Sequence, residues 1–157
     1  MNAVTTNELA AVKEAHAVLG ERIAKLEAVA AEPAPFFEYQ GVRITLRHGE
    51  RYAGTIIRAG ERGYHLIDTG IDADDLAWRA AMDWAKGKGG ELPDRVESAL
   101  LFATVGEHFE DAAYWTRELH ASDSHYAWTQ YATNGGQHYW TTDSKPRARP
   151  VRRLFIE

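Results

Sequence analysis

The sequence has 157 residues, 45 % hydrophobic and 26 % charged, with a formal net charge of −5 and no cysteine. That length supports one domain with a real core and leaves little for a second. Disulfides, thiolate metal centres and cysteine nucleophiles are excluded, and the acidic balance supplies no general attraction to nucleic acid or anionic lipid.

Residues 5–30 read as one helix, capped by Thr5 or Thr6 with Glu8 close behind in a capping box. Leu9, Val12, His16, Leu19, Ile23, Leu26 and Ala30 are spaced alternately by three and four, a heptad seam. Such a helix either lies on its own domain or pairs with another copy. The narrow seam favours pairing, because a helix serving a globular core carries a wider apolar face. A homodimer or homotrimer is expected, with Leu9, Val12, His16, Leu19, Ile23 and Leu26 at its interface. His16 is the polar member that sets register, and its protonation below about pH 6 brings like charges together at the axis. Gly20 weakens the helix by about 1 kcal/mol.

Glu32-Pro33-Ala34-Pro35 interrupts the pattern, so the organisation is helix 1–31, linker 32–36 and domain 37–157. Strands are expected near 37–39, 42–46, 51–58, with Tyr52 and Ile56 on one face, and 64–67. Asp72-Ala73-Asp74-Asp75 is expected to cap a helix running from Leu76 to about Lys86, with Trp78, Met82 and Ala85 or Ala81 on its apolar side. Gly87, Gly89 and Gly90 end it. Asp94 and Glu97 form a capping box for a second helix, which buries Leu100, Leu101, Val105 and Phe109. The remainder alternates as a strand meander: Tyr114-Trp115-Thr116, then 126–132, a turn at Asn134-Gly135-Gly136, 137–142 and 148–156. Lys145, Arg147, Arg149, Arg152 and Arg153 read as the charged outer face of the last strand rather than as a phosphate site.

No 18-residue apolar run is present, so no membrane insertion is expected. Met1-Asn2-Ala3 opens without a basic stretch and apolar run, so no signal peptide is expected either. The lack of cysteine suits a reducing compartment or a particle assembled inside a cell.

Six blocks stand out in order: Trp78-x3-Met82-x-Trp84-Ala85; Gly89-Gly90-Glu91-Leu92-Pro93-Asp94-Arg95; Glu97-x2-Leu100-Leu101; Tyr114-Trp115-Thr116-x-Glu118; Ala127-Trp128; and Arg147-Ala148-Arg149-x-Val151-Arg152-Arg153. Together, over about residues 50–155, they resemble the C-terminal domain of collagen-like adhesins, a C-type-lectin-like family met often in phages and prophages. The resemblance implies an α+β fold with two helices and a twisted antiparallel sheet, here preceded by the coiled-coil helix. It also implies a meander that presents a ligand face. The Glu-Pro-Asn, Gln-Pro-Asp and Trp-Asn-Asp triplets that hold calcium and sugar in C-type lectins are missing. The related formylglycine-forming activity needs cysteines that this chain lacks.

Residues 126–144 mix Tyr and Trp with Thr, Ser, Asn, Gln and Gly, a composition that suits rigid anchoring with adaptable hydrogen bonding. Trp128 is expected in the core. Thr129, Tyr131, Thr133, Asn134, Gln137, His138, Tyr139 and Trp140 are expected to face the ligand. His120, Asp123 and His125 lack the spacing of a metal site, and His108 with Glu107, Glu110 and Asp111 reads as the polar end of a helix. No catalytic motif is present, and neither cofactor nor metal is expected. The expectation is a phage- or prophage-encoded lectin-like binding protein with a protein or cell-surface ligand and no nucleic acid. The alternative is a structural or inhibitory protein that docks one fixed partner, such as a capsid component or a host-defence factor.

Overall fold

The computed structural model describes residues 6–31 and 33–157. The cap assigned to Thr5, the side chain of Thr6 and linker residue Glu32 lie outside the described residues. The chain divides into two units, the first ending at Ala34 and the second Pro35–Glu157.

In the first unit, helix α1 (Thr6–Ala31) is continuous through Gly20. Its Ala, Glu, Lys and Arg content supports helix over 26 residues. Leu9, Val12, Leu19, Ile23 and Leu26 are each 47–64 % exposed, so a single chain leaves the seam uncovered.

The second unit is mixed α and β. Strands β1 (Phe36–Tyr39) and β2 (Val42–Thr45) form an antiparallel hairpin. Gln40 and Gly41 both take positive φ, 49° and 79°, which matches the twist of a tight two-residue turn. Strands β3 (Arg51–Ile56), β4 (Tyr64–Asp68) and β8 (Val151–Phe155) form a sheet of order β3-β4-β8. β4 is its centre, and all five of its residues are buried. A bulge between Tyr52 and Gly54 overturns the expected shared face of Tyr52 and Ile56. The extra residue puts Ala53 and Ile56 in the core, while Tyr52 turns with Thr55 towards His65.

Helix α2 (Trp78–Gly87) begins later than expected, and the acidic run does not cap it. Its N-cap is Ala77, and the Trp78 N–H donates to the Thr142 carbonyl at 2.9 Å. Asp72 is instead engaged by Arg149 and Arg147, and Asp74 by Arg147. Helix α3 (Arg95–Val105) has the anticipated capping box: Glu97 N–H donates to Asp94 at 2.9 Å, and Asp94 N–H donates to Glu97 at 2.7 Å. Strands β5 (Ala113–His120), β6 (Asp123–Tyr131) and β7 (Gln137–Thr141) form the third sheet, a consecutive antiparallel meander.

Among the described residues, two apolar clusters form the core. Ala53, Ile56, Tyr64, Leu66, Leu101, Val105 and Val151 join the β3-β4-β8 sheet to α3. Trp78, Ala81, Ala85, Leu92, Trp115, Ala127 and Ala148 join α2 to the meander.

The arginines around β8 do not form a solvated outer face. Arg153 grips fully buried Glu97 with Nε–Oε1 2.6 Å and Nη2–Oε2 2.7 Å, and reaches Glu91 at 2.6 Å. Arg152 grips Glu50 at 2.8 and 2.6 Å. Arg149 binds Asp72 and, at 3.3 Å, Asp68. Each side chain is pulled inward because acidic partners from distant segments are presented to it, and mutual pairing is what makes their burial tolerable.

Candidate functional site

The β5-β6-β7 sheet has helices against both of its faces. Trp115 and Ala127 point towards α2. Gln130 points towards the first turns of α3, where Gln137 binds it at 2.8 Å and donates to the Arg95 carbonyl at 2.7 Å. The expected ligand residues therefore divide by parity. Tyr131, His138 and Trp140 share one face, with Tyr131–His138 ring centroids 5.3 Å apart and Tyr131–Trp140 6.0 Å. Gln137 and Tyr139 are on the other.

Thr129 does not face outward as expected. It is 0 % exposed, pairs across from Trp115, and its hydroxyl donates to the His138 carbonyl at 3.2 Å. Trp128, expected in the core, is only half-buried and lies on the opposite face. The small residues Ala127 and Thr129 take the face crowded by Trp115, so the indole is left for the freer side. Thr133 and Asn134 are exposed in the hairpin turn, and the Asn134 carboxamide accepts from Gly136 N–H at 2.9 Å. Gly135 has φ +77° there, and a Cβ on it would come within 2.6 Å of the Phe102 ring, so α3 packs closely on the turn.

The face of Trp128 carries an aromatic cluster. Tyr139 meets Trp128 edge-on with centroids 5.5 Å apart, and Tyr126 at 5.6 Å. His120 lies 4.6 Å from Tyr139 and 5.7 Å from Trp128. The Arg95 guanidinium covers Trp128 at 3.6 Å from the ring centroid and is steered by Gln137, which accepts from its Nε at 2.9 Å. Tyr139 remains 51 % exposed at the centre of this cluster. Its neighbours are anchored in a sheet, so the outer ring is presented with little conformational freedom. Arg95, His120 and Tyr126 were missed as site residues. The alternation Tyr126-x-Trp128-x-Gln130 carried the signal for one shared face, but only the helix packing shows which face is open.

On the reverse side, Trp140 packs partly against the α2 core and also borders a groove with Asp74, Asp75, Lys145, Pro146 and Arg147. Arg147 is tied to Asp74 at 2.8 Å. At the β5–β6 turn, His125 binds Asp123 through its backbone N–H and its ring, both at 2.9 Å, which holds that carboxyl below its ordinary range. His120 turns instead to Ser122 at 3.2 Å. Among the described residues, no group of three or more His, Asp or Glu side chains could hold a metal ion, and no helix is long and apolar enough to cross a membrane. No protein-family model and no curated protein matches the chain.

Proposed function

We propose that this chain is a non-enzymatic binding module of C-type-lectin-like fold, phage- or prophage-encoded, multimerised through α1. It presents the Tyr139 cluster to a protein or cell-surface ligand and serves on a virion in contact with the host surface. The observation that carries the reading is an exposed Tyr139 ring braced by Tyr126, Trp128 and His120, with Arg95 locking the indole from behind. Rigid aromatic anchors of this kind supply much of the affinity at interfaces. The lectin-like reading is supported by the pairing of β4 with the late strand β8, by the two helices, and by the meander inserted between them. Several copies on one stem raise a weak single-site affinity, by about 10² or more where geometry permits.

The test is capture of virions and host envelopes by the intact chain and by two double variants. Tyr126→Ala/Tyr139→Ala is expected to lose at least about tenfold in recovery, since one such anchor contributes about 2 kcal/mol. Tyr131→Ala/His138→Ala, on the opposite face, retains binding. Equal recovery by all three proteins removes the cluster from the function. A second reading, docking of one fixed protein partner, is favoured by the groove that sets Trp140 beside both acidic and basic side chains. It predicts that Lys145→Glu, with the Tyr139 cluster intact, abolishes capture.

A further inference from the structure

We infer that α1 pairs with α1 of another copy of this chain in parallel and in register, so that His16 meets His16 and Ile23 meets Ile23. This rests on reading α1 as the multimerising element, and adds its direction and register. The exposed seam places Leu9, His16, Ile23 and Ala30 at the first heptad position and Val12, Leu19 and Leu26 at the fourth. The flanking positions are then Glu8, Ala15, Arg22 and Val29 on one side and Lys13, Gly20 and Glu27 on the other.

In a parallel pair each residue of the first flank meets the partner residue five positions later. Glu8 then meets Lys13, Ala15 meets Gly20, and Arg22 meets Glu27. Both charged contacts are attractive and none is repulsive. An antiparallel pair with Leu9 against Leu26 sets Arg22 against Ala15 and Lys13 against Gly20, and forms no ion pair. Sliding it by one heptad gains one attractive contact but puts Arg22 on Arg22 or Lys13 on Lys13. Charge complementarity thus selects one direction and one register. In that arrangement every copy leaves the stem at Ala31, so all the binding domains emerge from the same end.

The chain contains no cysteine, so single replacements in the intact chain report contacts directly. Under mild oxidation, Leu9→Cys and Leu26→Cys are each expected to cross-link to themselves at least tenfold faster than Glu14→Cys, which lies outside the seam. A differently tagged mixture of Leu9→Cys and Leu26→Cys then gives no mixed product. Mixed product without self-cross-linking overturns the parallel register while leaving multimerisation in place. A monomer by light scattering, with every cysteine at background, overturns both. Charge exchange checks the same point without touching the seam. Arg22→Glu should weaken association at least threefold and Arg22→Glu/Glu27→Arg should restore it, whereas no change in either variant contradicts the register.

Discussion

The guanidinium of Arg95 sits over the indole of Trp128, 3.6 Å from its centroid, with its Nε committed to Gln137. One residue of the α3 first turn thereby fixes an aromatic ring of the meander and the amide that borders it. Arg95→Ala is expected to lower unfolding stability by about 1–2 kcal/mol through the lost cation–π and hydrogen-bond contacts. It should also alter the near-ultraviolet dichroism of the cluster. Arg95→Lys keeps the charge but not the planar donor fork, so it should recover less than half of that loss in a urea titration. An unchanged midpoint for Arg95→Ala contradicts the bracing role.

Glu97 is fully buried and engaged on both carboxylate oxygens. It accepts from Arg153 twice, from Tyr64 OH at 2.6 Å and from Asp94 N–H at 2.7 Å. Burial, with the Glu97 carboxylate alongside, pushes the Tyr64 phenol up to about 12. Glu97→Ala leaves the largely buried Arg153 with half-exposed Glu91 as its remaining carboxylate partner and is expected to cost about 3 kcal/mol. Glu97→Leu/Arg153→Met should be clearly more stable than Glu97→Ala, because no buried charge is left over. Equal destabilisation in both would show that packing, not charge, dominates here.

Acid should weaken the domain in two stages. His65 is 3 % exposed, ringed by Phe37, Tyr39 and Tyr52, and its Nδ1 is 3.0 Å from the Thr55 hydroxyl. Burial lowers its pKa from the ordinary 6.5. The unfolded chain therefore takes up a proton more readily than the folded one, and stability is lost as pH falls through 6.5 towards the folded value. The second stage belongs to Asp94 and Glu50. Burial alone would raise both. It is outweighed at Asp94 by the Glu97 N–H and Arg58, and at Glu50 by Arg152 and the Arg47 N–H, so both are held low. Their contribution is complete above the ordinary 3.8 and 4.5 and disappears as pH falls through the depressed folded values. Denaturation midpoints from pH 8 to 3 should show both stages, and His65→Phe should remove only the first.

Ser98 Oγ and Gln130 Nε2 are buried without hydrogen-bond partners, and both residues line a small cavity of about 20 Å³ between α3 and the meander, with Leu101, Phe109 and Trp115. A buried hydroxyl with no partner is a liability of about 1–3 kcal/mol. Ser98→Ala is therefore expected to be neutral or to stabilise the protein by up to about 1 kcal/mol, against the usual direction of core substitutions. A loss above about 1 kcal/mol in thermal unfolding would mean that the hydroxyl is satisfied in solution.

What was legible in the sequence was local. The Asp94–Glu97 capping box, the α2 stripe of Trp78, Met82 and Ala85 or Ala81, and the hairpin turn at Asn134-Gly135-Gly136 depend on residues a few positions apart, and each is found where expected, with both alanines buried and Met82 partly so. What was not legible depended on partners far away in sequence. Alternation in β6 assigns Trp128 and Thr129 to opposite faces, but which face is closed is decided by Trp115 and the two helices. Asp72 has the composition of a helix cap, yet a guanidinium 77 positions later outcompetes the free N–H groups of α2. The bulge at Gly54 reverses the apparent partnership of Tyr52 and Ile56, and a period of two contains no warning of it.

The arginines of the closing segment join parts of the chain made at very different times. Arg152 reaches back 102 residues to Glu50, Arg149 77 residues to Asp72, and Arg153 56 residues to Glu97. On a ribosome these acidic groups, and β4 with one edge open, must wait until β8 has been synthesised, at about 5–20 residues per second. The nascent chain thus spends seconds with carboxylates that cannot yet be buried, and those charges keep the unfinished sheet hydrated and discourage it from pairing with its neighbours.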